Sequence, residues 1–232
     1  MPELAAALAK LNVDLIVALG DPAILAAKRA TSTIPIVMVG SSDPVGAGLV
    51  ASLGRPGGNV TGVSDAAAEI AGKQLELLRE ANPRISRVTV LLAPSGSGKQ
   101  QVLTQTRAAA QTLGITLVAT EVSGRKDVEP AFAAVTRDHT DALIVLGGGL
   151  MDIASINLIA QLARKHRVPV MSDSVYLTHA GGLMSYATSY APQAPRAAHY
   201  ADKILRGTRP ADLPVEQPTT FNLVVNRASR ES

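Results

Sequence analysis

Short apolar segments alternate with amphipathic helical patterns along this chain, and this alternation constrains the fold more than any other feature. The apolar segments are four to seven residues long and are bounded by Gly, Pro, Asn or Asp, which is typical of buried β-strands. The predicted strands are Asp14–Leu19, Ile34–Val39, Val60–Val63, Val88–Leu92, Thr116–Val122, Ala142–Leu146, Val168–Met171, Leu183–Ala187 and Phe221–Val225. The predicted helices are Glu3–Asn12, Pro22–Thr31, Ala66–Ala81, Gln100–Leu113, Val128–His139, Ile153–His166 and Ala191–Arg206.

This order predicts an α/β fold built from βαβ units. Such connections are right-handed and place helices on both faces of a parallel sheet, so the carboxyl ends of the strands share one edge, where ligands bind. The composition agrees, because 47% of the 232 residues are apolar and only 3% are aromatic, which leaves the packing to small aliphatic side chains. A chain of this length folds as one or two domains.

Composition and charge exclude several classes of protein. The formal net charge is only +3 and the basic residues are scattered, so we expect no nucleic-acid partner. The absence of cysteine excludes disulfides and thiolate metal sites. No apolar run approaches the length of a membrane-spanning helix, and the start of the chain does not have the pattern of a signal peptide. Because a helix precedes the first strand, we expect that the N-terminus is truncated.

Candidate ligand-binding residues lie in the loops that follow predicted strands. Aspartates at such positions also cap the next helix in many proteins, so capping is the alternative role for the aspartates of this set. The candidates from the first half of the chain are Gly20, Asp21, Ser41, Asp43 and Ser64. Those from the second half are Ser95, Gly96, Gly148 and Asp173.

No motif predicts catalysis, a metal or a cofactor. The segment Ala93–Gln100 approaches a phosphate-binding loop, but it has Ala for the first Gly and lacks the hydroxyl residue that holds magnesium. The run Gly147–Gly149 offers backbone amides to an anion, and an ordinary turn explains it equally well. The four histidines form no metal-binding pair on a helix, and no serine lies in a Gly-x-Ser-x-Gly elbow. We therefore predict a binding protein and no enzyme.

Two motifs are specific enough to identify a family. They are Arg-Pro-Gly-Gly-Asn-Val-Thr-Gly at 55–62 and Ala-Gly-Gly-Leu-Met-Ser-Tyr at 180–186. Further matching segments are Ile34–Val37, Asp43–Val50, Ser52–Gly54, Ala71–Leu78, Ala211–Pro218 and Phe221. In these segments, which run along nearly the whole chain, the protein resembles the substrate-binding proteins of ABC transporters.

The resemblance implies a two-lobed fold of the type I periplasmic-binding class. Each lobe is a parallel sheet flanked by helices, and a small molecule is held in the cleft between the lobes. The first lobe would comprise residues 1–85 and 180–208, and the second 86–179 and 209–232. Breaks at Asn82-Pro83-Arg84 and in the Pro-rich stretch 209–218 agree with crossings between lobes.

The resemblance also implies a partner, a location and a type of ligand. The partner would be the membrane permease of an importer, the location would be periplasmic or lipid-anchored extracytoplasmic, and the chain would act as a monomer or weak dimer. The ligand would be a small molecule such as an amino acid or a related compound, since some relatives bind aromatic amino acids. Relatives also extend beyond both ends of this sequence. A ligand-sensing domain of a signalling system and a nucleotide-binding enzyme are the alternatives.

The sequence departs from the family pattern at the expected site. Relatives commonly have Thr after the glycine at position 20, where this chain has Asp21. They also commonly have Asn-Pro where it has Ala93-Pro94, and Pro-Asp-Pro where it has Gly147–Gly149. These changes leave the identity of the ligand open, because polar groups of the pocket decide specificity.

Overall fold

The computed structural model describes residues 1–92, 97–146, 152–188 and 193–230. The strands are β1 (Ile16–Leu19), β2 (Ile36–Ser41), β3 (Val60–Ser64), β4 (Arg87–Leu92), β5 (Thr116–Glu121), β6 (Ala142–Leu146), β7 (Val170–Ser172), β8 (Met184–Ala187) and β9 (Asn222–Val225). The helices are α1 (Pro2–Lys10), α2 (Asp21–Ala30), α3 (Ala67–Ala81), α4 (Ser97–Leu113), α5 (Val128–Arg137), α6 (Ile153–His166), α7 (Val175–Ala180) and α8 (Gln193–Leu205). Short 3-10 helices span Arg125–Asp127, Pro210–Asp212 and Arg227–Arg230.

The chain divides into two compact units, each built around its own sheet. The first comprises Met1–Ala68, Gly96–Gln101 and Thr188–Thr220, and the second comprises Glu69–Ser95, Val102–Ala187 and Phe221–Ser232. Each sheet is flanked by helices, so the predicted α/β class is confirmed.

The first unit contains a parallel sheet in the order β1-β2-β3. Strand β2 is buried along its whole length because both of its faces are covered. Its even-numbered residues, including Ile36 and Met38, pack with Ile24 of α2 in one core. Its odd-numbered residues, Val37 and Val39, pack with residues of α8 in another. The alternation of β2 side chains between two cores explains why its sequence is a continuous apolar run.

The second unit contains a six-stranded sheet in the order β5-β4-β6-β7-β8-β9. All neighbouring strands are parallel except the pair β8 and β9, which is antiparallel. Central strand β6 is fully buried. Its Leu143 and Val145 belong to a core that also contains Phe132 of α5 and Ile159 of α6. Close packing of this core fixes the positions of the strands, and therefore of the loops that follow them.

The unit boundaries differ from the expected ranges in four segments. Residues 69–85 and 180–187 lie in the second unit, and residues 97–101 and 209–220 lie in the first. Strand β8 belongs to the second unit because it pairs with β7 and β9 of the second sheet. Residues near 216 belong to the first unit because Glu216 forms a β-bridge with Val63 of β3. Strand pairing, which the linker composition does not reveal, decides these assignments.

The segment after α8 is attached to the first sheet by several polar contacts. The hydroxyl of Thr61 donates to the carbonyl of Leu213 at 2.6 Å, and the Tyr200 hydroxyl donates to the carbonyl of Pro214 at 2.5 Å. Burial, with the nearby Glu216 carboxylate, raises the pKa of Tyr200 to about 12. Arg196 of α8 forms an ion pair with Glu216. These contacts keep residues 213–216 alongside β3.

A single carboxylate organises the beginning of β4. One oxygen of Asp141 accepts from the amide of Ser86 at 2.8 Å, the hydroxyl of Ser86 at 2.9 Å and the amide of Arg87 at 2.8 Å. Burial alone would raise the pKa of Asp141, but these hydrogen bonds outweigh it and hold the pKa below its usual value. The carboxylate thereby connects the start of β4 with the start of β6.

Replacement of Asp141 by Ala is therefore expected to destabilise the second unit by about 1–2 kcal/mol at neutral pH, because it leaves two amides without their acceptor. A carboxylate with a depressed pKa stabilises the fold above the unfolded pKa, and this contribution is lost as the pH falls through the folded pKa. Urea unfolding at neutral pH and below pH 4 checks both effects. The exposed Glu121→Ala is the control, and equal stability of Asp141→Ala and the parent at neutral pH would contradict the assignment.

Candidate functional site

The carboxyl ends of the three strands in the first unit bring together buried polar residues. Gly20 directly follows β1, Ser41 ends β2 and Ser64 ends β3. Ser41 and Ser64 are both at most 1% exposed. Gly20 has φ of 76°, a left-handed conformation that favours glycine, and its amide donates to the carbonyl of Val39 at 2.9 Å. This turn directs the next residue, Asp21, toward β2.

Asp21 is the only charged residue among the buried side chains in the described part of the chain, at 5% exposure. One of its oxygens accepts from the Ser41 hydroxyl at 2.6 Å, and the other accepts from the amide of Ser42 at 3.3 Å. Helix α2 begins at Asp21, and the capping position is Gly20, which offers no side chain. Capping of α2 is therefore not the role of this carboxylate, which instead joins the ends of β1 and β2.

Ser64 joins the ends of β2 and β3 in the same way. Its hydroxyl donates to the carbonyl of Ser41 at 2.9 Å and accepts from the amide of Ala66 at 3.0 Å. The amide of Asp65 donates to the same carbonyl at 3.0 Å. Asp21, Ser41, Ser42 and Ser64 thus form one connected network, which we call the strand-end cluster.

Asp43 and Asp65 have local roles in the turns that follow the strands. Asp43 accepts from the amide of Gly46 at 2.8 Å. The space beside Gly46 is filled by this carboxylate, since a Cβ there would lie 2.0 Å from an Asp43 oxygen. Asp65 accepts from the amide of Ala67 at the start of α3, at 3.0 Å. Asp65 therefore caps the start of α3, whereas Asp43 stabilises the turn after β2.

The corresponding strand end of the second unit contributes Asp173 from the predicted set. Asp173 follows β7 and is half-buried, and the neighbouring Ser172 is 1% exposed and accepts from the amide of Ser174 at 3.0 Å. Ser95, Gly96 and Gly148 lie outside the described residues.

Two residues outside the predicted set belong to the buried polar groups of the first unit. Ser42 supplies an amide to Asp21 and is 3% exposed. Gln193, the first residue of α8, is 3% exposed and donates to the hydroxyl of Thr188 at 3.3 Å, while its amide oxygen has no partner in the described part of the chain. Ser42 was detectable as the second hydroxyl of a strand-end loop. Gln193 had no such signal, because it lies at a helix start.

The second unit also contains a cavity of about 660 Å³ at the amino ends of its strands. Its lining is mostly apolar and also includes Glu80, Arg164 and Arg167. It is formed by the end of α3, the end of α6 and the starts of β7 and β8. Because ligands of open α/β sheets bind at the carboxyl ends of the strands, this cavity is not the candidate site.

The described residues contain neither a helix long and apolar enough to cross a membrane nor a group of three His, Asp or Glu side chains arranged to hold a metal ion. The strand-end cluster contains hydroxyls and one carboxylate, groups that can form hydrogen bonds with a small polar molecule.

Comparison with known proteins gives a consistent result. The family described as ABC transporter substrate binding protein matches residues 2–232. A tyrosine-binding protein of Clostridioides difficile is 28% identical over 213 residues, covering 92% of this chain. The chain spans 61% of the length of that relative.

Solved structures show the same similarity. A conserved domain protein from Vibrio cholerae is 28% identical with a TM-score of 0.90, covering 100% of this chain and 78% of its own. An ABC domain from Streptococcus pneumonia in complex with L-Trp is 25% identical with a TM-score of 0.89, covering 99% of this chain and 80% of its own. These structures confirm the predicted fold class.

Proposed function

Because the chain belongs to the family of ABC transporter substrate-binding proteins, we propose that it is the solute-binding component of an ABC importer and captures an amino acid or a related small molecule. Its partner is a membrane permease, and it works outside the cytoplasm, as the family resemblance implies. No chemical bond is made or broken in this activity.

The observation that carries the proposal is the strand-end cluster. It places buried hydroxyls and a buried carboxylate at the edge of a parallel sheet where α/β proteins bind ligands. Core packing on both faces of β2 holds these groups in position before any ligand arrives. A preformed polar site of this kind costs less ordering entropy on binding than a flexible one.

The relatives indicate which ligands to test first. One is called a tyrosine-binding protein and another was solved with L-Trp, so aromatic amino acids are the first candidates. Asp21 stands where the family commonly has Thr, which supports a ligand related to these amino acids but distinct in its polar groups.

Thermal unfolding in the presence of candidate ligands tests the function. A ligand that binds only the folded state at one hundred times its Kd stabilises that state by about 2.7 kcal/mol. For a protein of this size we expect a rise in Tm of roughly 5–10 °C. The panel contains amino acids, organic amines, carboxylates, nucleosides and sugars. A shift with one class supports the proposal, and no shift with any class from a folded sample would reject it.

A pair of variants separates site binding from nonspecific stabilisation. Ser41→Ala removes the hydroxyl that contacts Asp21 and is expected to reduce the ligand-induced shift. Asp14→Asn alters an exposed residue before β1, at the opposite end of the same strand, and is expected to leave the shift unchanged. Equal ligand-induced shifts in Tm for Ser41→Ala and the parent protein would show that the strand-end cluster is not part of the ligand site.

A further inference from the structure

Asp21 is a buried carboxylate with no cationic partner in the described part of the chain. Both of its hydrogen-bond donors, the Ser41 hydroxyl and the Ser42 amide, are neutral, and none of the described ion pairs includes it. A carboxylate removed from water needs compensation by hydrogen bonds and positive charge. Two neutral donors supply only part of that compensation.

The nearest cationic side chain along α2 is committed elsewhere. The Lys28 ammonium donates to the carbonyls of Gly48 and Leu49, at 2.5 and 2.8 Å. Lys28 lies seven residues after Asp21, which separates the two residues by roughly 10 Å along the helix axis. Lys28 therefore stabilises the 48–49 turn and does not neutralise Asp21.

The start of α2 compensates for the charge in part. The helix dipole supplies the equivalent of roughly half a positive charge at its first turn, where Asp21 lies. A carboxylate can accept about four hydrogen bonds, of which Asp21 uses two. Acceptor capacity and uncompensated negative charge thus remain at the strand ends.

A second buried acceptor lies on the helix that packs against the same strands. The amide oxygen of Gln193 has no partner in the described part of the chain, although the residue is 3% exposed. Helix α8, which begins at Gln193, packs on β2 and β3. The first unit therefore has two buried acceptors that can accept further hydrogen bonds. No cationic side chain of the described residues forms a hydrogen bond or an ion pair with either of them.

From these contacts we infer that the strand-end cluster receives a cationic group of the ligand, an ammonium or guanidinium, and rejects a carboxylate at this position. The inference rests on the proposed function and specifies the class of its substrate. An ammonium supplies the missing positive charge and hydrogen-bond donors together. A ligand carboxylate placed here would meet a like charge in a poorly solvated site, which is unfavourable.

Three probes that share a 4-hydroxyphenyl group distinguish recognition of an ammonium from recognition of a carboxylate. Tyramine has the ammonium alone, 3-(4-hydroxyphenyl)propionate has the carboxylate alone, and L-tyrosine has both. Isothermal titration of the whole chain is expected to show that tyramine and L-tyrosine bind at least tenfold more tightly than the propionate. Equal or tighter binding of the propionate would overturn the inference.

The variant Asp21→Asn tests whether this residue carries the preference. Loss of a hydrogen bond to a charged group is expected to weaken tyramine binding by about tenfold to a hundredfold, and to reduce the ratio between tyramine and propionate affinities. A purely structural role of Asp21 would weaken both probes equally and leave that ratio unchanged, which would also overturn the inference. Asp21→Thr serves if the Asn variant does not fold, and Asp14→Asn is the control for removal of one negative charge.

The outcomes keep the two proposals apart. If ligands bind but show no preference for a cationic group, or if only neutral or anionic ligands bind, the inference fails and the solute-binding function stands. If no member of the panel stabilises the folded chain, the solute-binding function fails and the inference fails with it.

Discussion

Replacement of Gly62 by Ala is expected to unfold the first unit under conditions in which the parent protein is stable. Gly62 has φ of 135° in the middle of β3, a conformation that L side chains rarely adopt. A Cβ at this position would lie 2.2 Å from the carbonyl oxygen and 2.8 Å from the amide nitrogen of Met38. Both atoms belong to the backbone of the neighbouring strand, so no side-chain rotation relieves the overlap.

The expected cost is about 3 kcal/mol or more, because backbone strain and the displacement of β2 add together. That is a large fraction of the total stability of a domain, typically about 5–15 kcal/mol. Urea unfolding followed by circular dichroism measures the change. Gly58→Ala is the matched control, since a Cβ there has nothing within 4 Å. Equal unfolding midpoints for Gly62→Ala and Gly58→Ala would contradict the geometry of this strand pair.

Truncation of Phe132 to Ala is expected to destabilise the second unit by about 3–5 kcal/mol. The side chain is 1% exposed and lies among Leu143, Val145 and Ile159, in the core between the sheet and the helices α5 and α6. With only two phenylalanines in the chain, this core depends on one large ring surrounded by aliphatic side chains. Without the ring, the folded state loses the free energy gained by burying it away from water. The surrounding close-packed side chains also leave a cavity in its place.

Comparison with a surface aromatic isolates the effect of burial. Tyr176 of α7 is 70% exposed, so Tyr176→Ala is expected to change stability by less than about 0.5 kcal/mol. Thermal and urea unfolding of the two variants give the difference. If Phe132→Ala is as stable as Tyr176→Ala, the ring does not lie in the core as described.

The helices and strands were largely predictable because burial imposes local periodicity. Each predicted strand corresponds to an observed one, with Ala142–Leu146 matching at both ends. Strand β6 is buried on both faces, so its apolar run has sharp limits. Helix α6 was likewise predicted with its observed limits, Ile153–His166. Helix α7 was missed because its six residues are too few to establish a helical period.

The candidate site was only partly predictable. Parallel strands have their carboxyl ends at one edge, so the sequence could identify Ser41 and Ser64 as neighbours at that edge. It could not distinguish a capping aspartate from one that bonds across strands. Asp65 caps the next helix, whereas Asp21 turns toward β2 after a glycine with positive φ.

The sequence by itself determined the α/β class, the succession of strands and helices along the chain, and the positions of the strand-end loops. Each of these follows from patterns that are local in the chain. Only the tertiary structure decided the partners of Asp21, the attachment of residues near Glu216 to the first sheet and the antiparallel pairing of β9. These contacts join residues that are distant in sequence. Their formation depends on strand register and packing, which local periodicity does not encode.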